Sequence, residues 1–195
     1  MKESLRILLG EDEYLCLIGL RDNLIKLGHE IVGAASDGQD LVKIALEASP
    51  DLIITDINMP LMDGIQAIKE INLKLCVPTI IVSGYHHGEL IENAIKQGVY
   101  NYLIKPVDIW DLKAAVDITM SKFEEIQSIK VKLDSTQKSL DDRKYIEKAK
   151  GIIMKTFNLN ESDAMKRMQK MSTNSNSKMV NLAKGIIDAN KLLNL

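Results

Sequence analysis

The chain holds 195 residues, 46% of them apolar and 4% aromatic, with a formal net charge of −2. That length suits one large domain or two modest ones, each able to bury a core, and the apolar content is that of an ordinary soluble protein. No stretch is long enough to cross a membrane. Glu11-Asp12-Glu13 also cut the first apolar run too short for a signal peptide, so a cytoplasmic protein is expected.

The average charge hides a split. Residues 1–142 carry 14 Lys/Arg against 23 Asp/Glu, a balance of −9, whereas residues 143–195 carry 11 against 4, a balance of +7. An acidic front and a cationic back point to two domains, the second facing an anionic partner. Cys16 and Cys76 lie in apolar segments without Cys-x-x-Cys spacing. They read as reduced core thiols, not as a disulfide frame or a metal site.

Up to about residue 120, strands and helices alternate. Leu5–Leu9 reads as a strand, Tyr14–Leu27 as a helix ending at Gly28, and Glu30–Ala34 as a second strand. Asp37-Gly38 opens a helix that runs through Glu47 and stops before Pro50. Leu52–Thr55, a helix from Gly64, Thr79–Val82, a helix from Gly88 to Gly98 and Tyr100–Ile104 follow, with Asp108 placed to cap the last helix. Five such units predict an α/β protein with a doubly wound parallel sheet.

Beyond Asp108 the pattern changes. Leu112, Val116, Met120, Phe123, Ile126, Ile129, Leu133 and Leu140 recur at steps of three, four or seven, and no Pro or Gly intervenes between Pro106 and Gly151. This stripe predicts a long amphipathic helix that pairs with a second copy as a short coiled coil. Helices at 143–157, 161–171 and 176–193 follow, joined by a polar connector over Ser172–Ser177. Their apolar faces, Ile146/Ala149/Ile153/Phe157, Ala164/Met165/Met168 and Met179/Leu182/Ala183/Ile186, suit a three-helix bundle. The expected division is 1–120, a helical linker at 121–142, and 143–195.

Each predicted strand of the front half except the second ends on a reactive side chain. Leu52–Thr55 delivers Asp56, Leu5–Leu9 leads to Glu11 and Asp12, Thr79–Val82 to Ser83, and Tyr100–Ile104 to Lys105. Ligands sit where parallel strands stop, so these residues form one site. Three carboxylates together call for a hard divalent cation, Mg²⁺ (or Mn²⁺), which favours carboxylates, waters and a phosphate. The cation would screen the repulsion as Asp56 attacks a phosphoryl group. Lys105 would act as a point charge on the phosphoryl oxygens, the Ser83 hydroxyl would hydrogen-bond one of them, and a cis bond at Pro106 would fix Lys105.

Glu11-Asp12, Asp56 with Met59-Pro60-x-x-Asp63-Gly64, Ser83 and Lys105-Pro106 together resemble the receiver domain of two-component response regulators, over residues 1 to about 120. The resemblance implies a flavodoxin-like (βα)5 fold with Asp56 as phosphoacceptor for a sensor histidine kinase. It implies Glu11 and Asp12 as metal-binding acids, the Asn58 backbone carbonyl as a further ligand, Ser83 as phosphoryl sensor and Tyr102 as an aromatic switch. Glu11 stands where Asp is commoner, a longer arm that still reaches the metal. An aspartyl-phosphate phosphohydrolase would need a second Asp two residues after the first. Asn58 stands there and cannot serve as its general acid, so no turnover enzyme is expected. His29, His86 and His87 show no triad or metal spacing, and His86-His87 reads as a solvated loop.

In the cationic half, Arg143 and Lys150 fall about 20° apart around a helix. Gly151 in mid-helix costs about 1 kcal/mol relative to Ala, which points to close approach by another backbone. Lys166, Arg167 and Lys170 face away from the methionines. The charge favours phosphate contact, and few aromatic platforms (Tyr145, Phe157) argue against extensive base stacking. Arg143, Ile146, Ala149-Lys150-Gly151-Ile152, Met154, Ala164, Met168, Met171-Ser172 and Leu182-Ala183 resemble the ANTAR domain, the RNA-binding output of transcription antitermination regulators. That resemblance implies binding to hairpin RNA, with phosphorylation favouring a homodimer that blocks a terminator stem. A DNA-binding helix-turn-helix at 161–171 and 176–193 is the alternative. It lacks the Gly common in that turn.

Overall fold

A computed structural model describes residues 4–84 and 98–193. The helix expected from Gly88 and the His86-His87 loop lie outside the described residues. Two compact units are present, Met1–Gln127 and Ser128–Leu195.

The first unit is built on five parallel strands, β1 (Arg6–Gly10), β2 (Glu30–Ala35), β3 (Leu52–Thr55), β4 (Thr79–Ser83) and β5 (Val99–Ile104). They lie in the order β2-β1-β3-β4-β5. The helices α1 (Tyr14–Lys26), α2 (Gly38–Ala48) and α3 (Gly64–Asn72) intervene. The strand order reverses between β1 and β3, and this is where an open α/β sheet makes its crevice. The two-residue alternation of each strand sorts side chains to two faces. Ile7, Leu9, Leu52, Ile54, Ile80 and Val82 pack in one core cluster with Leu20 and Leu24 of α1. Leu8 and Ile53 pack on the other side with Leu41 and Ala45 of α2 and Ala67 and Ile71 of α3. Burial on both faces explains why β3 and β4 read as unbroken apolar runs.

Local chemistry sets the helix ends. Asp37 accepts the Asp40 N–H at 2.9 Å and Asp63 accepts the Gln66 N–H at 2.7 Å, each filling an orphan donor of a first helical turn. Asp108 accepts the N–H groups of Trp110 and Asp111 at 2.7 and 2.8 Å. The Lys105–Pro106 peptide is cis.

Several expectations need correction. Residues 143–157 are not a separate helix: α4 runs unbroken from Ile109 to Phe157 over 49 residues, through Gly151. A single glycine lowers helix stability without supplying a turn. The helix α5 (Glu161–Asn174) continues past residue 171, and α6 (Met179–Leu193) begins later than 176. The polar connector is partly helical because hydroxyls turn back on the preceding turn, Thr173 donating to the Gln169 carbonyl at 3.0 Å. Finally, Cys76 is exposed and Cys16 half-buried, and both are free, so neither is a core residue.

The apolar stripe of α4 divides. Leu112 and Val116 are buried in the first unit's core with Met120 against them, and Phe123 meets the Tyr100 ring edge-on at 5.7 Å. Ile126, Ile129, Leu133 and Leu140 are exposed. In the second unit, Ala149 and Ile153 of α4, Ala164 and Met168 of α5, and Ala183 and Ile187 of α6 make one core cluster. Phe157, expected on that face, is 45% exposed.

One histidine ties β2's start to the chain ahead of β1: His29 Nδ1 accepts the Leu5 N–H at 3.4 Å. Burial lowers its pKa from 6.5, with Asp117 opposing and Lys113 assisting. The neutral imidazole therefore contributes stability that is present above about pH 6.5 and lost as the pH falls below it, where the unfolded chain takes a proton the folded state resists. His29→Gln should flatten this loss in thermal melts between pH 7.5 and 5.5. An unchanged profile would assign the dependence to another group.

Candidate functional site

Parallel pairing brings the carboxyl ends of β1, β3, β4 and β5 to one edge. Gly10 pairs with Thr55, and Ser83 with Ile104, so Glu11, Asp56, Ser83 and Lys105 stand at neighbouring positions. Glu11, Asp56 and Ser83 are buried. The Lys105 ammonium bridges the carboxylates: its Nζ lies 2.6 Å from Asp56 Oδ2 and 2.7 Å from Glu11 Oε2. The contact to Glu11 Oε1, at 2.9 Å, is a directed hydrogen bond, whereas Oε2 has no hydrogen-bond partner among the described residues.

Asp56 is anchored from the other side. Its Oδ1 accepts the Ile57 N–H at 2.5 Å and the Asn58 N–H at 3.2 Å. Thr55 Oγ1 donates to the Asp56 carbonyl at 3.0 Å. A Cβ at Gly64 would collide with that carbonyl, so only glycine lets α3 start this close to the strand end. The Asp56 side chain is thus fixed, with Oδ2 directed to the cation.

Electrostatics follow from burial. Desolvation pushes the Glu11 carboxyl above its ordinary value and the Asp56 charge adds to this, while the Lys105 hydrogen bond and charge pull it back. Burial alone would lower the Lys105 pKa. The hydrogen bonds to Asp56 and Glu11 outweigh that and raise it, keeping the ammonium charged. Ser83 Oγ is buried without a hydrogen-bond partner among the described residues. Asp12 is exposed. Tyr102 is half-buried on β5 against Ile57, Ile65, Ile68, Ile81 and Val99.

The donor set fits a hard divalent cation. Glu11, Asp12 and Asp56 can each offer a carboxylate oxygen, with these atoms all within 4.8 Å of one another. All-oxygen ligation suits Mg²⁺ or Mn²⁺. Glu11, Glu13 and Cys16 form a second set, but burial and the bond to Glu13 keep the Cys16 thiol protonated, a poor ligand.

In the second unit the expected contact residues are dispersed. Lys150 is tied down: its stem is covered and its Nζ lies 2.6 Å from both Glu147 and Glu161, bonds that raise its pKa. Arg167 stacks over the Phe157 ring at 3.9 Å. Lys166 lies 3.8 Å from Asp163. Arg143 and Lys170 are exposed without an acidic partner among the described residues. Sequence reading missed the Lys150 clamp and the Arg167 stack. Glu147, three residues before Lys150, was a visible signal, whereas Glu161 and the ring contact depend on the fold.

Residues 7–117 match the family model of the response regulator receiver domain, and residues 134–187 that of the ANTAR domain. The chain belongs to the response regulators. The transcriptional regulatory protein PdtaR of Mycobacterium tuberculosis is 35% identical over 183 residues, covering 94% of this chain and 89% of its own. The receiver part is similar to the chemotaxis protein CheY of Bacillus subtilis, 33% identical over 60% of this chain and 98% of that one. Among solved structures, the receiver domain of AraT from Geobacillus stearothermophilus superposes with a TM-score of 0.57 at 30% identity, over 63% of this chain and 98% of that one. The CheX–CheY–BeF3–Mg²⁺ complex from Borrelia burgdorferi does so at 0.56 and 25%, over 60% and 88%. The fold of this response regulator is therefore the flavodoxin-like one. A receiver joined to an ANTAR domain is a signalling pair, not an enzyme of substrate turnover. Among the described residues no helix is long and apolar enough to cross a membrane.

In the receiver, Lys105 already neutralises two of the acids in this cluster, Glu11 and Asp56. Lys105→Ala should raise Mg²⁺ affinity about tenfold, roughly 1.4 kcal/mol, measured by calorimetric titration. Unchanged affinity would separate the lysine from the acid cluster.

Proposed function

We propose that this chain is a phosphorylation-controlled RNA-binding antiterminator of the cytoplasm. Asp56 is the phosphoacceptor. Its Oδ2, the oxygen left free by the backbone amides, attacks the phosphorus of a phosphohistidine on a sensor kinase. The P–N bond breaks, an acyl phosphate forms, and the histidine nitrogen keeps the electron pair. Mg²⁺ (or Mn²⁺), held by Glu11, Asp12, Asp56 and the Asn58 carbonyl, would supply charge neutralisation between the two anions. Esterification removes the carboxylate's charge, so the Lys105 ammonium transfers to a phosphoryl oxygen, and Ser83 Oγ donates to another. Tyr102, on β5 opposite Ile81 and two strand positions before Ser83's partner Ile104, reports the change as the switch. The Mg²⁺ and BeF3 in the Borrelia CheY complex support this reading. The observation that carries it is the Lys105 bridge between Glu11 and Asp56 at one sheet edge.

The cationic unit is the RNA-binding output, with Arg143, Lys150, Gly151, Lys166, Arg167 and Lys170 as contact residues. Lys150 acts chiefly by joining α4 to α5. The helix-turn-helix reading of 161–171 and 176–193 is not favoured, because the ANTAR match spans most of both segments. The uncovered apolar residues Ile126, Ile129, Leu133 and Leu140 support a phosphorylation-promoted homodimer.

Asp56→Asn should take up no phosphate from a small phosphodonor and should hold one low RNA affinity with or without it. Labelling at wild-type level would refute the assignment. Leu133→Glu should abolish any phosphorylation-dependent mass increase in sedimentation while leaving labelling intact, since a fully buried Leu contributes about 1.5–3 kcal/mol.

A further inference from the structure

Gly151 lies near the end of α4, where glycine weakens a helix relative to alanine. A Cβ placed on it would meet nothing within 4 Å, so no contact inside the protein requires the missing side chain. The bare backbone of α4 is open to the outside at this point. Gly151 lines an open cleft of about 570 Å³ with Lys148, Ile152, Lys155, Thr156 and Asn190.

The charged side chains lining this cleft are cationic. Lys148, Lys155 and Thr156 are exposed, and neither lysine has an acidic partner among the described residues. By contrast, Lys144, Lys150, Lys166 and Lys191 each face a carboxylate, at 3.2, 2.6, 3.8 and 3.3 Å. No carboxylate lines the cleft. A neighbouring cleft shares Lys148 but mixes Lys138, Lys144 and Lys184 with Asp134, Asp141 and Asp142, whereas the charged side chains lining the cleft at Gly151 are lysines alone. Lys148 and Lys155 are seven residues apart, about 10 Å along the axis.

We propose that this cleft seats the sugar–phosphate backbone of RNA. Phosphates pair with the ammonium groups of Lys148 and Lys155, the Thr156 hydroxyl donates to a phosphate oxygen, and bare Gly151 lets the strand approach the α4 backbone. The inference rests on the RNA-binding reading above, which already includes Gly151, and adds Lys148, Lys155 and Thr156 as the groups that hold the backbone there. It gives an ordinary reason for a glycine that nothing internal explains.

The test uses the full chain and a labelled pool of RNA stem-loops with randomised loops, titrated at several salt concentrations. The double variant Lys148→Ala/Lys155→Ala should bind at least tenfold more weakly, and its log–log salt slope should fall by about 2. Gly151→Leu should also weaken binding while leaving the slope nearly unchanged, because it blocks approach without removing charge. Both variants should keep wild-type helical circular dichroism, since Lys148 and Lys155 are exposed and a Cβ at Gly151 meets nothing within 4 Å. Lys191→Ala is the control. Wild-type affinity and slope in the double variant would overturn the cleft and leave the RNA reading standing. An equal loss in the control would reveal diffuse charge attraction and also overturn it. Failure of the wild-type chain to bind any stem-loop would overturn both readings.

Discussion

The first unit depends on one ammonium held between two carboxylates. Lys105 reaches both Glu11 and Asp56 only because β1, β3 and β5 end together. Burial makes each of these charges costly alone, and proximity makes the set tolerable together. The backbone is arranged to serve it: two amides fix one Asp56 oxygen, leaving the other for chemistry. A phosphoryl group esterified to Asp56 would change which anion the lysine faces.

Much of the receiver was legible in the sequence because its physics is local. Strands buried on both faces must be apolar, and in a parallel sheet their ends must share an edge. Asp56, Glu11, Ser83 and Lys105 therefore announced themselves by position. The Glu11–Lys105 pairing was not legible, since 94 residues separate the partners. Nor was the role of Thr55, whose hydroxyl bonds the next residue's carbonyl; a Thr ending a strand has no distinctive pattern.

The cationic half was harder to read. Its helices are short of strong stops, so their boundaries shifted: Gly151 did not end a helix, and Ser172–Asn174 joined one. Lysines in sequence look alike, yet in the folded unit they differ sharply. Some are neutralised by an acid within a turn, one is clamped by two, and others face solvent alone. A net charge of +7 describes none of this. What a polyanion meets is the arrangement of the unpaired ones.

The division of the α4 stripe has a further consequence. Its first part is covered by the chain's own sheet, whereas Ile126, Ile129, Leu133 and Leu140 have no such cover. Were a second copy to supply that cover, it would obey mass action, and the response to a signal would depend on how many molecules the cell makes. Gene dosage and translation rate would then set the threshold of the switch alongside the kinase. A cell holding few copies would need near-complete modification, and one holding many would respond to a trace.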